Sequence, residues 1–120
     1  MRKLVVAVAV ALLLSSCTPA LAETYADWVW GVVDIEGKPS DPPTLLAAPD
    51  DWMCGEVKAA GCYYPASHEY WVHLECWCAR MLINHELAHA LIRGTPGHGA
   101  EYLDAYKAVK EVSAQIHERR

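Results

Sequence analysis

Positive charge is scarce in this 120-residue chain, and no cluster of lysine or arginine follows Lys3. Lys and Arg number 10 against 15 Asp and Glu, a net charge of −5. Removing the first 16 residues takes away Arg2 and Lys3 and no acid, which moves the net charge from −5 to −7. A surface of that sign repels a phosphate backbone and argues against nucleic acid as a partner. Long apolar runs are missing as well. Leu4–Leu14 has 11 residues, about half of what a helix needs to cross a bilayer. No internal repeat or low-complexity tract is present, and a chain this short has room for one core and not two. The cysteines beyond Cys17 show no C-x-x-C pair, the spacing that structural zinc sites usually use.

What the N-terminus does contain is an address. Arg2 and Lys3 form a positive region ahead of the Leu4–Leu14 run, the layout of a signal peptide. The run ends in Leu14-Ser15-Ser16-Cys17, which looks like a bacterial lipobox. That resemblance implies a signal peptide over residues 1–16 and a single domain over 17–120. It also implies an acylated Cys17 as the new N-terminus and membrane anchor. Thr18 after the cysteine is the pattern read as outer-membrane sorting, facing the periplasm. Cleavage after Ala20-Leu21-Ala22 is the alternative, and it would release a secreted or periplasmic chain.

Export sets how the remaining cysteines are read. Cys54, Cys62, Cys76 and Cys78 are even in number in a short exported domain, which favours two disulfides. Cys76 and Cys78 stand two apart in an expected strand, so their side chains point the same way and a bridge between them is strained. Each is therefore expected to pair with Cys54 or Cys62.

Tyr25–Asp34 (YADWVWGVVD) is aromatic and β-branched and predicts a strand. Gly37–Pro49 holds four of the seven prolines and predicts an irregular connection, and Asp50–Pro65 a turn-rich loop. Over Glu69–Cys78, Tyr70, Val72, Leu74 and Cys76 alternate with Trp71, His73, Glu75 and Trp77, the period of a strand. The period then changes. Ala79–Arg93 (ARMLINHELAHALIR) holds good helix formers, lacks Gly and Pro, and stops at Gly94. Being apolar on nearly every side, it belongs in the middle of the domain. Beyond Gly99 a second helix is expected, with Tyr102, Tyr106, Val109, Ser113 and Ile116 on one stripe. The fold class is α+β, a small antiparallel or mixed sheet packed on these two helices and stapled by disulfides.

The chemistry lies in His85-Glu86-Leu87-Ala88-His89. Two imidazoles four residues apart sit about 40° from each other on a helix, near enough to grip one metal ion. Glu86 lies within a turn of both, where a carboxylate can reach a water at the ion without being a ligand. With 6 His in the chain, random sequence would produce this motif only about 0.02 times. Two unliganded histidines and a glutamate on an apolar helix would also bear a desolvation cost with no return. A catalytic zinc takes three protein ligands and leaves a position open. His98 is the candidate third ligand, because it follows the turn that ends the helix and is flanked by Gly97 and Gly99, which permit close backbone approach. Glu101 is the rival.

HELAHAL followed by GHGAEYLDAY resembles the SprT-like branch of the zincin metallopeptidases, with an HExxH helix, a third His in an HG-x-x-aromatic segment and a following helix. The likeness spans residues 81–112. It implies a minimal zincin-like domain with one Zn2+ at His85, His89 and His98 and Glu86 as general base. The chain departs from the family in the short insert before the third His. Its signal peptide and acidic charge also depart from the family's cytosolic, DNA-linked setting.

Two functions from different classes are open at this point. One is an exported zinc endopeptidase hydrolysing protein or peptide substrates, with Tyr102, Tyr106, His68 or His73 available to an oxyanion. In that reading the strand 69–78 presents Trp71, His73 and Trp77 to the cleft and aligns the substrate. The other is a non-catalytic zinc-binding envelope lipoprotein serving as an interaction module. His117, Glu69 and Glu75 are expected in solvent.

Overall fold

The computed structural model describes residues 19–49, 51–73, 80–93, 95 and 97–118. The signal segment, Cys17, Thr18, Cys76, Trp77 and Cys78 lie outside the described residues, as do the side chains of Ile116 and His117. Helix α1 (Pro19–Val32) leads into strands β1 (Thr44–Ala48), β2 (Gly61–Tyr64) and β3 (Glu69–His73), followed by helices α2 (Arg80–Leu91) and α3 (Ala100–Glu118). Among the described residues the class is α+β, with three helices and a three-stranded mixed sheet of order β1-β3-β2. No helix among the described residues is long and apolar enough to cross a membrane.

Tyr25–Val32 is helix and not strand, and Val33 and Asp34 follow it outside any strand, which corrects the expectation drawn from its aromatic and β-branched content. Ala22, Ala26, Val29, Trp30 and Val33 are buried. Their spacings of four and three trace one helical face, and Glu23 and Asp27 fall outside it. Packing of that face overrides the weak helix propensity of Val and Gly31. Lys38 secures the far end. Its Nζ donates to the carbonyls of Trp30 and Val33, each at 2.9 Å, supplying partners that the last turn lacks. Gly37, at φ 82°, makes the reversal that brings Lys38 back.

Two strands occupy stretches expected to be irregular. In Gly37–Pro49 the prolines bracket β1 without entering it, so the backbone of Thr44–Ala48 is free to pair. It runs parallel to β3, Thr44 opposite Glu69 and Ala48 opposite His73. Asp50–Pro65 ends in β2, antiparallel to β3 with Cys62 opposite Trp71. Its four residues are too few to show a period. Strand β3 is therefore central and β2 an edge, which reverses the expectation that the strand at Glu69 borders the cleft.

The alternation foreseen for β3 is present. Tyr70 and Val72 are buried under the helices, in one cluster with Val29, Leu87 and Val109. Trp71 faces the other side and stacks on Trp52 at 6.3 Å between ring centres. Asn84, buried on α2, accepts a hydrogen bond from Tyr25 Oη at 2.6 Å. Tyr25 Oη also pairs with Ser113 Oγ at 2.7 Å, so one polar cluster ties α1, α2 and α3 together.

Among the described residues a disulfide joins Cys54 to Cys62, with Cα atoms 5.8 Å apart. This corrects the expectation that both would pair with Cys76 and Cys78. The chain doubles back between them: Cys54 and Val57 exchange two backbone hydrogen bonds, at 2.8 and 3.0 Å, around Gly55 at φ 62°. A four-cysteine metal knuckle is excluded, since two of its sulfurs are bonded to each other.

Candidate metal centre

Helix α2 presents His85 and His89 one turn apart, and the loop before α3 carries His98 back over them. His98 Nε2 lies 3.0 Å from His89 Nε2 and 3.2 Å from His85 Nε2. The ligand nitrogens of all three fall within 4.8 Å of one another, and they are a group of side chains able to hold a metal ion jointly. A tetrahedral site with zinc–nitrogen bonds of 2.0–2.1 Å sets its nitrogens about 3.3–3.4 Å apart. Two of the three nitrogen pairs are thus within a few tenths of an ångström of that arrangement, and all three nitrogens lie within 4.8 Å of one another. Burial, and then the nearby His98, holds the His85 imidazole below its ordinary pKa. Burial, with His85 and His98 behind it, takes His89 down to about 4. Both rings are neutral at pH 7, the form that binds metal. Glu101 is exposed on the first turn of α3 and stands outside this cluster.

The loop reaches the cluster by a different device from the one expected. Gly97 is needed for its backbone, at φ 82°, and not for clearance. A Cβ on Gly97 or Gly99 would meet open space.

Glu86 is buried, with 3% of its surface exposed. Its Oε1 stands 3.9 Å from His85 Nε2, and its Oε2 has no hydrogen-bond partner among the described residues. Burial pushes the carboxyl up to about 7. A buried carboxyl oxygen without a partner, beside three converging imidazoles, is costly for a fold and is what a base awaiting a proton requires. Together the three imidazoles and the orphaned oxygen fit a site able to hold a metal ion.

Tyr102 forms the floor. Its ring lies 5.3, 4.6 and 4.8 Å from those of His85, His89 and His98. Its hydroxyl donates to the His85 carbonyl at 3.3 Å. That bond commits the hydroxyl to α2, so Tyr102 supports the imidazoles and does not reach toward an oxyanion. Tyr106 stacks on Tyr102 at 6.1 Å and reaches the cleft. His68 is taken up elsewhere: its Nδ1 pairs with Tyr63 Oη at 2.8 Å and its Nε2 with the Asp41 carbonyl at 2.7 Å. Neither Trp71 nor His73 lines the cleft that holds the cluster.

One residue had no place in the sequence reading. A Cβ on Gly61 would stand 3.2 Å from the Trp71 carbonyl and 3.3 Å from Glu86 Oε1. Its lack of a side chain is what lets the edge strand lie directly over the carboxylate. The available signal was a glycine opening an aromatic, cysteine-bearing run, a mark of close approach. Around this point opens a cleft of about 430 Å³, walled by the Cys54–Cys62 disulfide, Tyr63 and Pro65 on one side and Thr95 and Gly97 on the other.

No protein-family model, curated protein or solved structure matches the chain.

Proposed function

We propose that this chain is an exported zinc metallopeptidase of zincin type that hydrolyses peptide bonds, with His85, His89 and His98 as metal ligands and Glu86 as general base. The observation that carries this reading is the Glu86 carboxyl, buried beside the three imidazoles with Oε2 unpartnered. A site that held metal for structure alone would have no use for that group. The likeness of HELAHAL and GHGAEYLDAY to SprT-like zincins supports the same assignment.

A zinc ion held by the three imidazoles supplies Lewis acidity, making water a nucleophile near neutral pH and polarising a carbonyl. Glu86 takes the proton of the attacking water and passes it to the departing amine. A carboxyl whose pKa stands near 7 is matched to both halves of that transfer. Tyr102 and the Asn84–Tyr25–Ser113 cluster keep α2, and with it both helical ligands, in register. Gly61 and the edge of β2 border the cleft, the place where an extended peptide could add to the sheet. Cys17 supplies a lipid anchor on the periplasmic side, and the acidic charge leaves no role for nucleic acid.

Peptide-library cleavage by the zinc-loaded chain, with Glu86→Gln beside it, tests the reading. Cleavage by the first and not the second supports it. One bound zinc in each with no cleavage by either overturns it in favour of a zinc-binding interaction module.

A further inference from the structure

We propose that the groove past Glu86 selects its substrate by an apolar side chain seated among Met81, Leu82 and Tyr106, a proposal that rests on the peptidase reading above. The cleft has a second lobe of about 530 Å³. It shares Ala59, Gly61, His85 and Glu86 with the first lobe and leaves the centre toward Met81, Leu82 and Tyr106. A chain that occupies both lobes must pass the Glu86 carboxyl where they meet. In this proposal the second lobe, which shares the Glu86 wall with the first, takes a residue near the bond being cut.

Its chemistry points to one kind of side chain. Beyond His85 and Glu86 at the inner end, the lobe is lined among the described residues by alanines, Gly61, Met81, Leu82 and Tyr106, none of them charged. Arg80 precedes Met81 but turns away, its guanidinium 5.0 Å over the Tyr25 ring. A lysine or aspartate of the substrate would lose water there and find no counter-charge among the described residues. An apolar residue would cover Met81, whose side chain is 74% exposed and takes no part in the core. A flexible thioether at the lip also adapts to side chains of different shape.

The test uses fluorescent peptides identical except at one central position, which is Leu, Phe, Lys or Asp. Their binding to the zinc-loaded, processed chain carrying Glu86→Gln is followed by anisotropy, so that cleavage plays no part. Leu and Phe peptides are expected to bind about tenfold or more tightly than Lys and Asp peptides. Adding Met81→Asp should weaken the Leu peptide about tenfold and bring the Lys peptide level with it or above. Met81→Lys should do the same for the Asp peptide and provides the mirror control if one variant melts early. Equal binding of the four peptides, no binding of any, or a preference unmoved by both variants overturns the subsite. Wild-type cleavage of the same peptides separates the two ideas. Cleavage indifferent to the varied residue leaves the peptidase and removes the subsite, while selective binding without cleavage does the opposite.

Discussion

At the scale of single residues, Glu86 joins a burial cost to the proposed role of base, and the two can be measured apart. Its carboxyl ionises near pH 4.5 when unfolded and at about 7 in the fold. Below pH 4.5 both states hold the proton, and burial exacts nothing for charge. Above pH 7 both are ionised, and the folded state bears the full penalty, up to about 3 kcal/mol. Metal-free Glu86→Gln should therefore gain stability over metal-free wild type as pH rises from 4.5 to 7, with a constant gap beyond. Urea melts of both proteins at pH 4.5, 6 and 8 would show it, and a gap independent of pH would contradict it. The histidines differ from Glu86 in that their worth lies in the metal. His98→Ala should weaken zinc binding by more than about 100-fold, since losing even an outer partner of a ligand costs about 10–100-fold. Glu101→Ala should leave it unchanged, which competition with a chelator would read. His85, His89 and Glu86 were legible because a helix fixes where neighbours four apart must lie, whatever the fold. Gly61 left only a weak mark, a glycine opening the run Gly61–Tyr64, because its role depends on a strand crossing over α2 that lies far from it in sequence.

At the scale of elements, local propensity and tertiary packing disagreed, and packing prevailed. The α2 and α3 helices were legible from a period sustained over three turns or more and from the glycines between them. β3 was legible from Tyr70 and Val72 alternating with Trp71 and His73. α1 was misread because a window opened at Tyr25 omits Ala22, the first residue of its buried face, and leaves Val and Trp to suggest a strand. β1 and β2 are five and four residues long and show their nature only through their partner. The Cys54–Cys62 link was hidden for a related reason: the turn at Gly55 that brings them together is a matter of backbone. It closes a loop across a sequence separation of 8, and its removal should cost about 2.5 kcal/mol. Because this loop also walls the cleft, Cys54→Ser/Cys62→Ser should lower both the melting temperature and the affinity for peptide, and calorimetry with anisotropy would register both. Gly61→Ala presses on the Trp71 carbonyl and on Glu86 Oε1. It should leave zinc affinity intact and lower kcat by tenfold or more by displacing the base, since general-base catalysis contributes about 100-fold or above. Metal titration beside steady-state kinetics would separate the two effects.

At the scale of the whole molecule, a chain of 120 residues builds a groove by sharing its parts. α2 serves as both core helix and ligand carrier, β2 as both sheet edge and roof. That economy explains why the polar cluster of Tyr25, Asn84 and Ser113 sits so near the site: few layers separate the core from the chemistry. The proposed lipid anchor belongs to this scale too. Intact mass of the processed chain from its native envelope should show acyl groups on Cys17, and a chain beginning at Glu23 would instead indicate cleavage after Ala22. The most direct test is of hydrolysis. Zinc-loaded chain beginning at Cys17, with Cys17→Ser for solubility, would be mixed with a diverse peptide library beside its Glu86→Gln counterpart, with zinc content measured in both. One zinc per chain in each and cleavage by the wild-type site alone is the expected result. Equal zinc and no cleavage by either, or equal cleavage by both, would contradict a peptidase whose base is Glu86.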